Sequence, residues 1–209
     1  GTYNYVLTVT DNDGAIATKT VTVKVFNNNT TELWFEAECA AKEGSNWNTI
    51  EHTAVSGGKY LMVKDAFQST GSATADTLHH LVFNFKIEEA GTYKVWGRVL
   101  APTADDDSFW VRVDDGDWVN WNSIPGATSW AWDDVHNQAN DNPMLYTLEP
   151  GDHKLYVCYR ENGAGIDKFY ITNTGSTPTG LGGEAANCKV DDPGIPDHVA
   201  NMRSNEVKV

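Results

Sequence analysis

From Leu33 to Thr172, apolar and polar residues alternate in short runs separated by Gly, Pro, Asn and Asp, and no stretch sustains the 3.6-residue period of a helix. Period-two alternation turns every second side chain to the same face, so each run predicts a half-buried strand. The runs are LWFEAECA, KYLMVKD, HLVFNFKIE, GTYKVWGRVL, SFWVRVDD, WVNWNSI, MLYTLE, HKLYVCYRE and KFYITN. Glu89-Ala90-Gly91 and Glu149-Pro150-Gly151-Asp152 supply turns between them. Many short strands at this spacing predict an all-β fold, an antiparallel β-sandwich of the jelly-roll kind. Such a scaffold offers its end loops and its sheet faces as sites.

Residues 3 to 26 predict a separate pair of strands, YNYVLTVTD and TKTVTVKVF, joined by the hairpin signal Asn12-Asp13-Gly14. The segment GTYNYVLTVTDNDGAIATKTVTVKV resembles the closing strands of a polycystic-kidney-disease-type (PKD) immunoglobulin-like domain, which implies an excised piece of a larger chain. The polar run Asn27 to Glu32 predicts a linker, residues 33–174 the sandwich, and residues 175–209, rich in Gly, Pro and Asp, a linker or wrapping tail with a short helical turn around Asp197 to Arg203. The last residues, Asn205 to Val209, are similar to the lead-in of sorting domains on proteins exported by gliding bacteria, which implies a secreted or cell-surface location.

Between Asp107 and Asp134 lie five of the eight tryptophans, Trp110, Trp118, Trp121, Trp130 and Trp132, interleaved with Asp, Asn, Ser and Gly. Tryptophan combines a large rigid apolar face with one N–H donor, so such a mixture suits a wet, sugar-binding surface. Alternation assigns Trp110 and Trp121 to the interior, and Trp118, beside the turn Asp114-Asp115-Gly116-Asp117, is expected to be more exposed. A net charge of −14 and a pI near 4.6 exclude partners that reward basic residues, namely nucleic acid and anionic membranes. Neutral glycans carry no such penalty. Of three cysteines, Cys158 sits among strand residues as a buried small hydrophobe, whereas Cys39 and Cys188 are either buried thiols or a bridge pinning the tail to the first strand.

Four landmarks in order carry a further resemblance: Phe35-Glu36-Ala37-Glu38, Gly57-Gly58-Lys59-Tyr60, Ala90-Gly91-Thr92-Tyr93-Lys94-Val95-Trp96-Gly97-Arg98-Val99, and Leu148 to Leu155 leading to Gly165-Ile166-Asp167-Lys168-Phe169. Residues 34 to 173 resemble carbohydrate-binding modules of families 6 and 35, galactose-binding-like sandwiches attached to polysaccharide-degrading enzymes. The resemblance implies a structural calcium ion held by Glu36, Glu38 and Asp167, hard oxygen ligands brought together if the first and last strands are neighbours. It also implies an aromatic sugar site at the loop end of the sandwich, with Trp130 as the ligand residue, Trp132 as packing or ligand residue and Trp47, in the loop SNWNTIEH, as the second wall. Where the family often carries a sugar-bonding Asn, this chain has Gly165, so that contact is either missing or supplied from elsewhere, with Asn162 and Arg160 as the candidates. Arg98 and Arg160 are candidate forks for hydroxyls or an anionic sugar, with salt bridges to aspartates as the alternative. The run Asp105-Asp106-Asp107 is read as a solvated loop, with a second calcium site as its alternative.

The chain shows no GxSxG, HExxH or phosphate loop, and its many carboxylates follow no catalytic spacing. The expectation is therefore a non-catalytic, monomeric module that binds polysaccharide or oligosaccharide within a larger multidomain enzyme. A catalytic glycan-active domain and an adhesive spacer are the rival classes. Acidity favours neutral chains such as β-glucan, xylan or mannan over anionic glycans.

Overall fold

The computed structural model describes residues 2–24, 30–42, 46–125, 128–138 and 142–188. The chain divides into two compact units, residues 1–30 and 31–209. Asn27 to Asn29 of the expected linker, the helical turn near Asp197 and the closing residues from Asn205 lie outside the described residues.

The first unit is a hairpin of β1 (Thr2–Thr10) and β2 (Ile16–Lys24), in register from Thr2 opposite Lys24 to Thr10 opposite Ile16. The Asp11 side chain builds the turn, its Oδ1 accepting the N–H groups of Asp13 at 3.0 Å and Ala15 at 2.8 Å. The Asn-Asp-Gly signal therefore marks the turn correctly, with Asp11 as the residue that holds it.

In the second unit the described strands are β3 (Glu32–Glu36), β4 (Ala41–Lys42), β5 (Trp47–Glu51), β6 (Lys59–Val63), β7 (His80–Ile87), β8 (Gly91–Leu100), β9 (Phe109–Val113) and β10 (Val119–Trp121). They continue as β11 (Ala131–Asp134), β12 (His136–Asn137), β13 (Asn142–Pro143), β14 (Tyr146–Leu148), β15 (Gly151–Tyr159) and β16 (Gly165–Thr172). One sheet has the order β10-β9-β15-β7-β4; the other has β11-β8-β16-β6-β5, with β14 added to β8 and β3 to β16. The pairings between these sheet strands are antiparallel. This is the antiparallel β-sandwich that alternation predicts. Beyond the predicted runs the structure adds β5, a stretch read from the sequence as loop, β11, and the two-residue strands β4, β12 and β13.

Aromatic side chains join the sheets in the core. Phe83 of β7 meets Phe35 of β3 and Phe169 of β16 edge-on, with ring centroids 6.2 and 5.0 Å apart. Trp121 of β10 is fully buried and reaches Gly97 of β8, where a Cβ would lie 2.5 Å from its ring. Gly97 is thus the gap in β8 that admits a tryptophan from the opposite sheet.

The end of the segment 174–188 reaches the outer edge of β3. The Asn187 side chain accepts the Glu36 N–H and donates to the Glu36 carbonyl, both at 2.9 Å, and Ala186 N–H bonds Trp34 O at 2.9 Å. Cys39 and Cys188 form a disulfide, Cα–Cα 5.4 Å, and Cys158 is a buried free thiol. No helix among the described residues is long and apolar enough to cross a membrane.

Candidate functional site

Strand register sets Glu36 (β3), Lys168 (β16), Arg98 (β8) and Trp132 (β11) in one row across four strands. Trp130 stands just before β11, half-buried, with its ring edge-on to Tyr60 at 4.9 Å and 5.6 Å from the Arg98 guanidinium carbon. Beside it opens a cleft of about 370 Å³ whose lining includes His52, Arg98, Leu100, Ser129 and Trp130. His52 is exposed and takes the Ala54 N–H on Nδ1 at 3.1 Å, so its Nε2 carries the proton that a ligand oxygen would accept. A Cβ at Gly165 would lie 3.2 Å from the Trp130 ring and 3.4 Å from that of Tyr60. The glycine that breaks the family pattern is the space into which these two rings pack.

Beneath the cleft floor, Arg98 is buried. Its Nη1 donates to Asp167 Oδ2 and its Nη2 to Ala54 O at 3.3 Å. Burial pushes the Asp167 carboxyl up to about 6, against the pull of the Arg98 and Ser56 donors. Glu38 rises to about 7, mainly through burial, with Glu36 and Asp167 adding repulsion.

The other expected ligand residues lie elsewhere. Trp47 belongs to β5 rather than a loop, is buried, stacks on Phe109 at 6.2 Å and donates its indole N–H to His79 O at 3.1 Å. Both its apolar face and its polar edge are spent inside the sandwich, so it forms no wall of the cleft; Tyr60 is the aromatic beside Trp130. Trp132 packs edge-on against Trp34 and donates to Gly180 O at 3.1 Å, beneath the C-terminal segment. Arg160 bonds Ser108 Oγ and Glu161 Oε1 at 2.7 and 2.6 Å and lies over Trp110. Asn162 bonds Asp65 O and Gln68. Neither of these two residues lines the Trp130 cleft. In the acidic run, Asp106 accepts from Thr103 Oγ1 at 2.7 Å and Asp107 N–H bonds Glu161 at 3.2 Å.

Of the carboxylates expected to hold calcium, Glu36 and Asp167 lie on the neighbouring strands β3 and β16 and Glu38 on the 3-10 turn that follows β3, but they do not fit that ion as arranged. Both Asp167 oxygens accept the Ser56 N–H, at 3.0 and 3.3 Å, and one also accepts Arg98. Glu36 Oε1 accepts Ser56 Oγ at 2.7 Å and pairs with Lys168 Nζ at 2.9 Å. Among the described residues, Glu36 Oε2 and Glu38 Oε2 are buried without a hydrogen-bond partner. Calcium takes six to eight oxygens. A second acidic group, Asp133, Asp134 and His136, has ligand atoms within 4.8 Å of one another. Both imidazole nitrogens of His136 lie 2.8 Å from backbone carbonyls, Asp134 O and Asn122 O. Both must therefore carry protons, which leaves no lone pair for a metal.

Sequence reasoning missed Tyr60, His52 and Lys168 as site residues. Tyr60 ends the segment Gly57-Gly58-Lys59-Tyr60 and Lys168 follows Asp167, but only the tertiary contacts give them roles.

The family model described as the glycosyl hydrolase family 115 C-terminal domain matches residues 18–185. The chain belongs to that family. As a member of this C-terminal domain family, it is similar in fold to the GH26-CBM35 β-(1,4)-mannanase of Podospora anserina, with 16% identity, a TM-score of 0.51, and coverage of 70% of this chain and 28% of that one. Further matches are a family 35 carbohydrate-binding module from Clostridium thermocellum (20% identity, 66% and 96% covered, TM-score 0.47) and the C-terminal family 6 module of the laminarinase LamC from Zobellia galactanivorans (14%, 68% and 100%, 0.47). The chain spans only 28–29% of the length of the mannanase and of an exo-β-1,3-galactanase from Phanerochaete chrysosporium. No relative matches among curated proteins.

Proposed function

We propose that this domain is a non-catalytic carbohydrate-binding module that attaches a secreted polysaccharide-degrading enzyme to its glycan through the Trp130 cleft. The observation that carries the reading is Trp130 itself, a half-buried indole at the rim of an open cleft with Tyr60 set edge-on behind it. A fixed aromatic face offers a pyranose ring an apolar platform, while His52 Nε2 and the Ser129 hydroxyl supply polar contacts at its margin. None of the described residues lining the cleft is a carboxylate, whereas glycoside hydrolysis requires two flanking the bond. The solved carbohydrate-binding modules of similar fold, and the glycosyl hydrolase family to which the chain belongs, support the same reading.

The preferred glycan is neutral. Arg98 is compensated by Asp167 and Arg160 by Glu161, so neither candidate fork offers an unpaired charge to a uronate or sulfate, and the net charge of −14 opposes both. The Cys39–Cys188 bridge supports a secreted or cell-surface location. The hairpin of residues 2–24 is read as the closing strands of a PKD-type domain upstream, and the module as monomeric.

Affinity electrophoresis against β-glucan, xylan and mannan tests the proposal. The intact chain is expected to be retarded by at least one of them, with Trp130→Ala weakening binding by about tenfold or more, roughly 1.4 kcal/mol. Trp132→Ala is expected to lower stability and leave the surviving affinity near that of the parent. Retardation that is absent throughout, or unchanged in Trp130→Ala, overturns the assignment.

A further inference from the structure

We propose that Lys168 and Arg98 are permanent internal counter-ions of Glu36 and Asp167, and that they take the place a structural calcium ion would hold in this sandwich. The proposal concerns what neutralises the acids of the first and last strands, and it stands independently of the glycan reading.

Sequence position alone would send Asp167 and Lys168 to opposite faces of β16. The register of β16 against β8 jumps between Ile166 and Lys168, leaving Asp167 as the extra residue of a bulge. The bulge brings adjacent acid and base to one side of the sheet. Lys168 then falls between Glu36 and Arg98 in the cross-strand row, and Asp167 reaches Arg98. Two cations side by side would repel each other; here a carboxylate is paired with each.

The ammonium of Lys168 is only 2% exposed and fully coordinated. Its Nζ lies 2.8 Å from Ser56 Oγ, 2.6 Å from Gly183 O, 3.2 Å from Leu181 O and 2.9 Å from Glu36 Oε1. An ammonium has three protons to give, so four oxygens at this range saturate it. Ser56 ties the two pairs into one network, its hydroxyl donating to Glu36 and its N–H to Asp167. A buried Lys held this way is a built cation site whose cation is covalently attached. A divalent ion at the same carboxylates would have to displace Lys168 from Glu36 and Arg98 from Asp167, and would sit beside both displaced charges.

The attached cation also reaches where the acids do not. Two of its four acceptors are carbonyls of the segment that crosses β3 and ends at Cys188, so Lys168 fastens that segment to the sheet.

The test is thermal unfolding of the full chain in EDTA and in a calcium chloride titration, for the parent, Lys168→Met and Lys168→Arg. The parent and Lys168→Arg are expected to show a Tm independent of calcium and of chelator. Lys168→Met is expected to lose stability in EDTA and to gain a Tm that climbs with the logarithm of calcium concentration, since binding to the folded state adds stability by mass action. A Met variant that folds only when calcium is supplied is the same result in stronger form. A parent Tm that falls in EDTA or rises with calcium overturns the proposal. So does a Met variant that stays unfolded or unresponsive in calcium.

Discussion

His136 shows how one residue's position converts to a pH dependence. Burial works to keep its imidazole neutral, yet hydrogen bonds to Asp134 O and Asn122 O and the charges of Asp133 and Asp134 outweigh it and raise the pKa. A histidine held above its unfolded value of about 6.5 contributes stability that is complete below that value and is lost as pH rises through the folded pKa. Glu38 and Asp167, both raised, shift stability in the same direction, so the informative comparison is between parent and variant at each pH. The stability advantage of the parent over His136→Asn, from urea denaturation, is expected to be largest near about pH 6 and to shrink by about pH 8.5. An advantage that grows with pH would show that the imidazole is neutral in the fold. This role was not legible in the sequence, because His136 becomes a double donor only where the Asn122 carbonyl, just past the end of β10, meets it on the side opposite Asp134 O.

Among elements, β8 is the strand on which most depends, and its ten residues were read correctly from end to end. Its alternation is strong because it is central, paired with β16 and β11, so its inward residues are fully buried. Gly97 interrupts that pattern for a reason that lies in the other sheet. Gly97→Ala is expected to cost about 1–3 kcal/mol, since Trp121 has nowhere to retreat within a packed core. Thermal unfolding checks this, and a neutral result would mean that the Trp121 ring shifts freely. By contrast β5 escaped notice. As the outermost strand of its sheet, it buries Trp47 while Asn48, Thr49 and Glu51 remain exposed, so little alternation marks it. That edge position makes Trp47 read as a loop tryptophan in the sequence, although it is a buried strand residue.

At the scale of the molecule, the C-terminal segment is a structural part of the sandwich through residue 188. It pairs with the edge of β3, coordinates Lys168 and closes a disulfide across 149 residues. Bridges over long loops stabilise mainly by restricting the unfolded chain, typically by about 2–5 kcal/mol. The Cys39→Ser/Cys188→Ser double variant, or reduction of the parent, is expected to lower Tm by about 4–20 °C. The loss should appear by calorimetry while the affinity of the Trp130 cleft survives in the folded fraction. A Tm unchanged by reduction would show that the noncovalent contacts hold the segment by themselves. The sequence by itself determined the fold class and the hairpin of residues 2–24, because period-two alternation and turn residues are local signals. It also singled out Trp130, by resemblance to a family whose ligand residue stands at that point. The tertiary structure alone decided that Trp47 faces inward, which arginine lies beside the cleft, and that Lys168 rather than solvent answers Glu36. Those outcomes depend on a register shift, an edge strand and a tail crossing, where residues far apart in the chain meet and no local periodicity records the encounter.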